Sequence, residues 1–218
     1  MMTTFQHFMP AGWYRLDLTE EVAPQVAELA ALLTEGAPVD RRRAARETVT
    51  RRLLPSVEEF ARGDALSVLM TTDATDPLRP TIVFMPFRAP EEVDPMDLLV
   101  GLASQEPTAE LIDLPDLVAL RMTSEKDVTE DAEATIRSEV LDPLLGAEVA
   151  QAAAPGEADL RVVSRQVRHV IGNPSDRDQW LDVYFALTHL DLPEIRETAD
   201  AAIELGDVLV RTVRWNHG

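Results

Sequence analysis

The amino-acid sequence predicts an α+β domain in which helices pack on a mainly antiparallel sheet. Runs of alternating apolar residues come in groups bracketed by helical stretches, instead of each strand being followed by a helix. Near the C-terminal end, the turn-forming segment Gly172 to Asp176 joins two strands directly, as in a hairpin. The 218 residues are 45% hydrophobic and 27% charged, which is typical of a soluble globular protein with a core of its own.

The N-terminal part predicts one strand and two helices. Alternation around Trp13 favours a strand over Gly12 to Leu18. The first helix follows from apolar residues that share one face and end before Gly36, namely Val22, Val26, Leu29 and Leu33. The second helical region spans Asp40 to Arg62, and Pro55 is predicted to kink or divide it. Its apolar stripe consists of Ala45, Val49, Leu53 and Val57.

The middle of the chain predicts two pairs of strands separated by a short helix. The first pair covers Ala65 to Thr71 and Thr81 to Phe87. Asp94 is placed to cap a helix that runs to about Ser104, since proline follows at the first helical position. The second pair covers Ala109 to Ile112 and Leu117 to Met122.

The C-terminal part predicts an insertion, the hairpin, a helix and a last strand within a single domain of residues 1–218. Residues from about 127 to 158 are acidic and alanine-rich, which indicates an insertion. The hairpin strands are Leu160 to Ile171 and Gln179 to Thr188. Asp191 and Glu194 resemble a capping box, and Gly206 is predicted to end that helix. A final strand up to Trp215 is then expected from Val208, Val210 and Val213.

The charge balance disfavours some classes of partner. With 39 acidic and 20 basic residues the net charge is −19, so phosphate backbones and anionic lipid surfaces are repelled. We therefore expect a protein partner or self-association, with no nucleic acid and no membrane. The chain has no cysteine, and it has no apolar run long enough to span a bilayer. Its first residues lack a basic start followed by a long apolar run, so we expect no leader. These features predict a cytoplasmic protein.

No catalytic or cofactor motif is present in the sequence. The glycine-rich phosphate loops, the zinc-protease helix motif and the nucleophile elbow are all missing, so no cofactor, metal site or catalytic residue is predicted. His169 could approach Asp178 or Asp182 across the hairpin, but an ordinary strand histidine, hydrogen-bonded at a sheet surface, is the simpler and favoured interpretation. The arginines around Arg43 fit intrahelical pairs such as Arg43 with Glu47, with docking of an acidic partner as the alternative.

The second hairpin strand supplies the candidate binding surface. Its apolar face is Leu181, Val183, Phe185 and Leu187, so the alternate residues point the other way. If no helix covers that second face, it is the best candidate for a partner or ligand. The candidate residues are Trp180, Asp182, Tyr184 and Thr188, together with His169 on the neighbouring strand.

Three segments carry a resemblance to a known group of proteins. They are the start Pro10-Ala11-Gly12-Trp13, the meander through His169 to Pro174 and Trp180 to Leu187, and the ending Val213-Arg214-Trp215. In this order they resemble uncharacterised actinobacterial proteins and are similar in outline to the PsbP-like α/β/α sandwich. The resemblance implies a non-enzymatic binding or accessory protein, and it assigns no functional residue.

Two hypotheses about function follow. The first is a non-catalytic interaction protein, an adaptor or assembly factor that uses its sheet surface. The second is a small-ligand-binding protein or an enzyme, with a pocket assembled from residues distant in sequence. A deep, largely apolar pocket with a few polar groups would favour the second hypothesis.

Overall fold

A computed structural model describes residues 5–76, 78–88, 93–114, 117–130 and 161–215, and in these ranges the chain forms four helices and nine strands. The helices are α1 (Val22–Leu33), α2 (Arg42–Arg62), α3 (Pro95–Gln105) and α4 (Pro193–Val210). The strands are β1 (Phe5–Gln6), β2 (Trp13–Asp17), β3 (Ser67–Thr71), β4 (Thr81–Phe87), β5 (Glu110–Leu114), β6 (Leu117–Asp127), β7 (Val162–Asn173), β8 (Asp176–Leu190) and β9 (Arg214–Trp215).

Seven of the strands form one antiparallel sheet in the order β2-β3-β4-β8-β7-β6-β5. The predicted α+β class with a mainly antiparallel sheet is therefore confirmed. The β7–β8 hairpin lies near its centre, with Arg168 opposite Tyr184 and a register irregularity at Gly172 and Asn173. Strands β1 and β9 form a separate two-stranded ribbon.

Helices cover both faces of the sheet. On one face, which we call the α4 face, Ala199, Ile203 and Leu209 of α4 join a cluster with Phe185 and Leu187 of β8. On the other face, which we call the α2 face, α1 and α2 cover β2, β3 and β4. Helix α3 contributes Leu99 to a further cluster on the same face, over β6 and β7. The result is a three-layer α/β/α arrangement.

Two predicted features of α4 are wrong. Asp191 and Glu194 do not form a capping box, because the N-cap is Leu192 and the Asp191 carboxylate instead binds the Arg196 guanidinium. Gly206 does not end the helix, which continues to Val210. A Cβ at position 206 would lie 2.6 Å from Cδ2 of Phe185, so the glycine is required by the close approach of helix and sheet.

Two further differences from the sequence predictions lie elsewhere in the chain. Of the two outcomes predicted for Pro55, division of α2 does not occur, because α2 is one helix through that position. The last strand is only Arg214–Trp215, because Val208 and Val210 belong to α4. The predicted acidic insertion lies outside the described residues apart from its first four positions, 127–130. Among the described helices, none is long and apolar enough to cross a membrane.

Candidate ligand-binding groove

The predicted surface residues of β8 do share one face of the sheet, the α2 face, but they differ in accessibility. Trp180 is only 6% exposed, and it packs with Leu99, Leu120 and Val170 under α3. Asp182 is also buried. Tyr184 is half-buried, and Thr188 is exposed. Helix α3 therefore covers one end of the predicted surface and leaves the other end accessible.

A partly buried ion pair lies between these two ends. Arg168 of β7 binds the Asp182 carboxylate with both arms of its guanidinium, with Nη2 2.6 Å from Oδ2 and Nε 2.9 Å from Oδ1. The same guanidinium lies 5.9 Å from the ring centroid of Phe87 and 5.2 Å from that of Tyr184. The Asp182 carboxylate fixes the planar Arg168 guanidinium, and the contact of this guanidinium with the Tyr184 ring in turn restricts the position of that ring.

Burial and this ion pair act in opposite directions on Asp182. Burial raises the pKa of Asp182 because it disfavours the charged carboxylate, whereas the adjacent Arg168 favours the charge. Burial, together with the negative charge of Asp182, raises the pKa of Tyr184 to about 12. The Tyr184 hydroxyl therefore stays protonated at neutral pH and can donate a hydrogen bond.

His169 lies on the α4 face and does not approach Asp178 or Asp182. Its side chain is 1% exposed, and its Nε2 lies 3.0 Å from Oδ1 of Asp207 on α4. Adjacent strand residues point to opposite faces, so His169 and Arg168 are separated by the sheet. The alternative of a pair between His169 and Asp178 or Asp182 is therefore not realised, and the His169 ring is not exposed to a partner.

Asp207 is the centre of a polar network on the α4 face. Arg121 of β6 places its Nε 3.1 Å from Asp207 Oδ1 and its Nη1 2.8 Å from Glu110 Oε1. Although burial disfavours its charge, the pKa of Asp207 is lowered because His169 and Arg121 stabilise the carboxylate. These groups connect α4 to the sheet. In the described part of the chain, no three potential metal-ligating side chains come together.

The open end of the α2 face forms a groove beneath α2. Its volume is about 800 Å³, and its walls are mainly apolar. Leu53, Val57 and Phe60 of α2 form one side, while Val83, Met85, Tyr184 and Ala186 of β4 and β8 form the other. Thr188, Gln166, Met70, Leu78 and Arg79 also line it. We call this space the α2 groove.

A smaller cavity of about 180 Å³ adjoins the α2 groove. The two spaces share Leu53, Met70 and Arg79 in their linings. The smaller cavity continues beneath the N-terminal half of α2, where Thr48 and Val49 line it. The accessible space therefore follows the helix on both sides of Leu53.

The space exists because α2 is poorly matched to the sheet below it. In its 21 residues Val57 is the one buried side chain, and Phe60 is 37% exposed. Pro55 lies inside the helix, where it has no N–H to donate to the carbonyl of Arg51. Three of the four residues of the predicted apolar stripe of α2, Val49, Leu53 and Val57, line the groove or its extension. The sequence pattern thus located the apolar side of α2 but contained no signal for the space beneath it.

The arginines of α2 are partly explained by pairing within the helix. Arg43 Nε lies 2.9 Å from Oε1 of Glu47, so the predicted pair four residues apart is confirmed. Arg42 donates to the backbone carbonyl of Ala37 at 3.2 Å. Both groups lie outside the lining of the groove.

Comparisons with known proteins give one weak structural match. No family model and no curated protein matches the sequence. Among solved structures, the crystal structure of LpqN, involved in cell envelope biogenesis of Mycobacterium tuberculosis, matches with a TM-score of 0.42 and 12% identity. The match covers 99% of this chain and 85% of that chain. The neighbour is actinobacterial, and the PsbP-like resemblance stays a prediction.

Proposed function

We propose that this protein binds a small, largely apolar molecule in the α2 groove. The observation that carries the proposal is the groove itself. Its volume of about 800 Å³ lies in the range of small-molecule sites, roughly 300–1,000 Å³. Its walls come from α2, β3, β4, β7 and β8, so they are assembled from residues distant in sequence. This is the arrangement that the second sequence-based hypothesis requires.

The groove also has the few polar groups that a binding site needs for orientation. Gln166 of β7 and Thr188 of β8 line the groove and lie on adjacent strands of the sheet, which hold them in place. Tyr184 touches the groove on one side and Arg168 on the other, so its ring is held before any ligand arrives. A site organised in advance loses less entropy on binding.

The proposal is tested with a neutral apolar fluorophore, N-phenyl-1-naphthylamine, titrated into the full chain. We expect a saturable rise in fluorescence. Ala186→Phe places a ring in the groove and should weaken binding by roughly tenfold or more, since the ring occupies space that the ligand would otherwise fill. The matched control is Ala201→Phe on the exposed side of α4, which should leave binding unchanged. Equal binding by both variants, or none by the wild type, would count against the proposal.

We propose the adaptor role predicted from sequence as the second candidate function, now at the edge of the sheet. Among the described strands β5 pairs only with β6, and Leu111 on it is 74% exposed. A sheet edge can pair with an extended segment of a partner protein. In this case a stoichiometric protein should co-purify with the wild type at physiological salt. Leu111→Lys should release it and Ala186→Phe should retain it, whereas loss with Ala186→Phe alone would contradict the edge as the docking site.

A further inference from the structure

Arg79 occupies a distinct position at the α2 groove. It is the only charged residue among the described residues that line the groove, and it also lines the adjoining cavity. Its neighbours in sequence, Leu78 and Pro80, are both buried, while Arg79 itself is exposed. The loop between β3 and β4 therefore presents one cation to the mainly apolar α2 groove, while Arg52 and Asp73 are further charged residues in the lining of the adjoining cavity.

The backbone at Arg79 is held in a conformation that arginine rarely adopts. Its φ is 42°, in the left-handed region, and the following residue is proline. Before Arg79 the loop is held by Leu78, which is 4% exposed and whose N–H donates to Oδ1 of Asp76 at 2.9 Å, and after it Pro80 is buried. Backbone strain of this kind persists where surrounding contacts impose it, and it concentrates at functional positions.

The charge of Arg79 is not used within the described part of the molecule. No carboxylate there forms an ion pair with Arg79, although Arg121, Arg165 and Arg168 each bind at least one. Asp73 lines only the smaller cavity, and its carboxylate accepts from the N–H and hydroxyl of Thr75 at 2.8 and 2.6 Å. The net charge of −19 opposes anions at long range, so a cation without a carboxylate partner is what can favour an anion locally at this groove.

We infer that the ligand of the α2 groove is a monoanionic amphiphile, whose apolar chain lies under α2 and whose anionic head group binds Arg79. This inference rests on the proposed function, since it names the ligand class of the same site. The apolar walls would take up the chain, and burial of each methylene adds to affinity. Arg79 would bind a carboxylate or a similar head group through its guanidinium.

The inference is tested by competition for the bound fluorophore with three twelve-carbon amphiphiles, dodecanoate, dodecanol and dodecyltrimethylammonium, each below its micelle concentration. We expect dodecanoate to bind about three- to tenfold more tightly than dodecanol, and the cation to bind least, since an exposed ion pair gives only modest energy. The preference should shrink as salt rises.

Three variants separate the role of Arg79 from general charge. R79Q should abolish the preference for dodecanoate over dodecanol, and R79K should restore part of it. R79G removes the charge and also accepts the φ of 42°, so it remains informative if R79Q folds poorly. The control R46Q makes the same charge change on the exposed side of α2, outside the lining of either space, and should retain the preference.

The outcomes distinguish the inference from the proposed function. Equal competition by all three amphiphiles, or a preference unchanged in R79Q, overturns the role of Arg79 while ligand binding in the groove stands. If neither the fluorophore nor any amphiphile binds, the proposed function fails and the inference fails with it.

Discussion

The two helical layers of this protein cover the same sheet in different ways. Helix α4 buries Ala199, Ile203, Gly206, Leu209 and Val210, and Gly206 lets the helix approach the ring of Phe185. Helix α2 is longer, yet Val57 is its one buried residue, and a groove of about 800 Å³ lies beneath it. The difference indicates that the α4 layer supplies stability, whereas the α2 layer leaves space that a ligand can fill.

The largest expected effect is the cost of removing a ring from the α4 face. Phe185 is 2% exposed within the main cluster, so Phe185→Ala should lower the free energy of unfolding by about 3–5 kcal/mol. The same change at Phe60 of α2, which is 37% exposed, should cost about 1 kcal/mol or less. Urea denaturation measures both. Similar losses of unfolding free energy at the two positions would contradict the difference in packing between the α4 and α2 layers.

A smaller effect is expected from a methyl group added between α4 and the sheet. Gly206→Ala places a Cβ 2.6 Å from the Phe185 ring, so overpacking should cost about 1–3 kcal/mol despite the better helix propensity of alanine. Gly101 on α3 is the matched control, because a Cβ there meets nothing within 4 Å. Gly101→Ala should be neutral or stabilising. Thermal unfolding of the two variants gives the result, and a stable G206A would show that α4 is not closely packed.

The sequence predicted the sheet better than it predicted how the helices meet it. The strands β3, β4, β7 and β8 follow from alternation and turn residues, which are local signals. The extent of α4 was missed because Gly206 acts through a distant contact with Phe185, and a glycine in a helix pattern otherwise indicates an end. Asp191 was misassigned because Arg196, one turn further on, binds its carboxylate.

The candidate site was also predicted only in part from the sequence. Alternation placed Tyr184 and Thr188 on the face that lines the α2 groove, but it could not show that α3 covers Trp180. Arg79 was not singled out, since neither its left-handed backbone nor its place at the groove has a sequence signal. The partner-binding role of the predicted surface and the cytoplasmic location stay predictions.

The third prediction concerns pH and the polar network under α4. The pKa of Asp207 is lowered from its ordinary 3.8, so its carboxylate stabilises the fold above that pH and loses this contribution as pH falls through its folded value. Asp207→Asn should cost about 1–2 kcal/mol at neutral pH, and the difference from wild type should shrink below about pH 3.8. Urea midpoints across pH measure this. If the difference in stability between Asp207→Asn and the wild type did not change with pH, the proposed role of the Asp207 carboxylate would be contradicted.

The smallest change in stability is expected at the groove, where binding should respond instead. Leu53→Ala should cost about 1 kcal/mol or less, because the side chain already borders open space. It should also weaken fluorophore binding several-fold. Leu209→Ala on α4, where the leucine is 2% exposed, should do the reverse, costing about 2–5 kcal/mol and leaving binding by the folded protein unchanged. A large stability loss in L53A would contradict the loose fit of α2.

The β1–β9 ribbon carries a consequence for the order of folding. It pairs Phe5 with Trp215, and the nearby Phe8 N–H donates to the Thr212 hydroxyl across 204 positions of sequence. Closing so long a loop early would be entropically costly, so the ribbon is expected to form after the β7–β8 hairpin, whose strands are adjacent in sequence. In the native state the ribbon should also open more readily than the central sheet. Opening would uncover Phe84, on which the His7 ring stacks with 4.6 Å between the ring centroids. The amide protons of Phe5 and Gln6 would then exchange with solvent well before those of the central sheet.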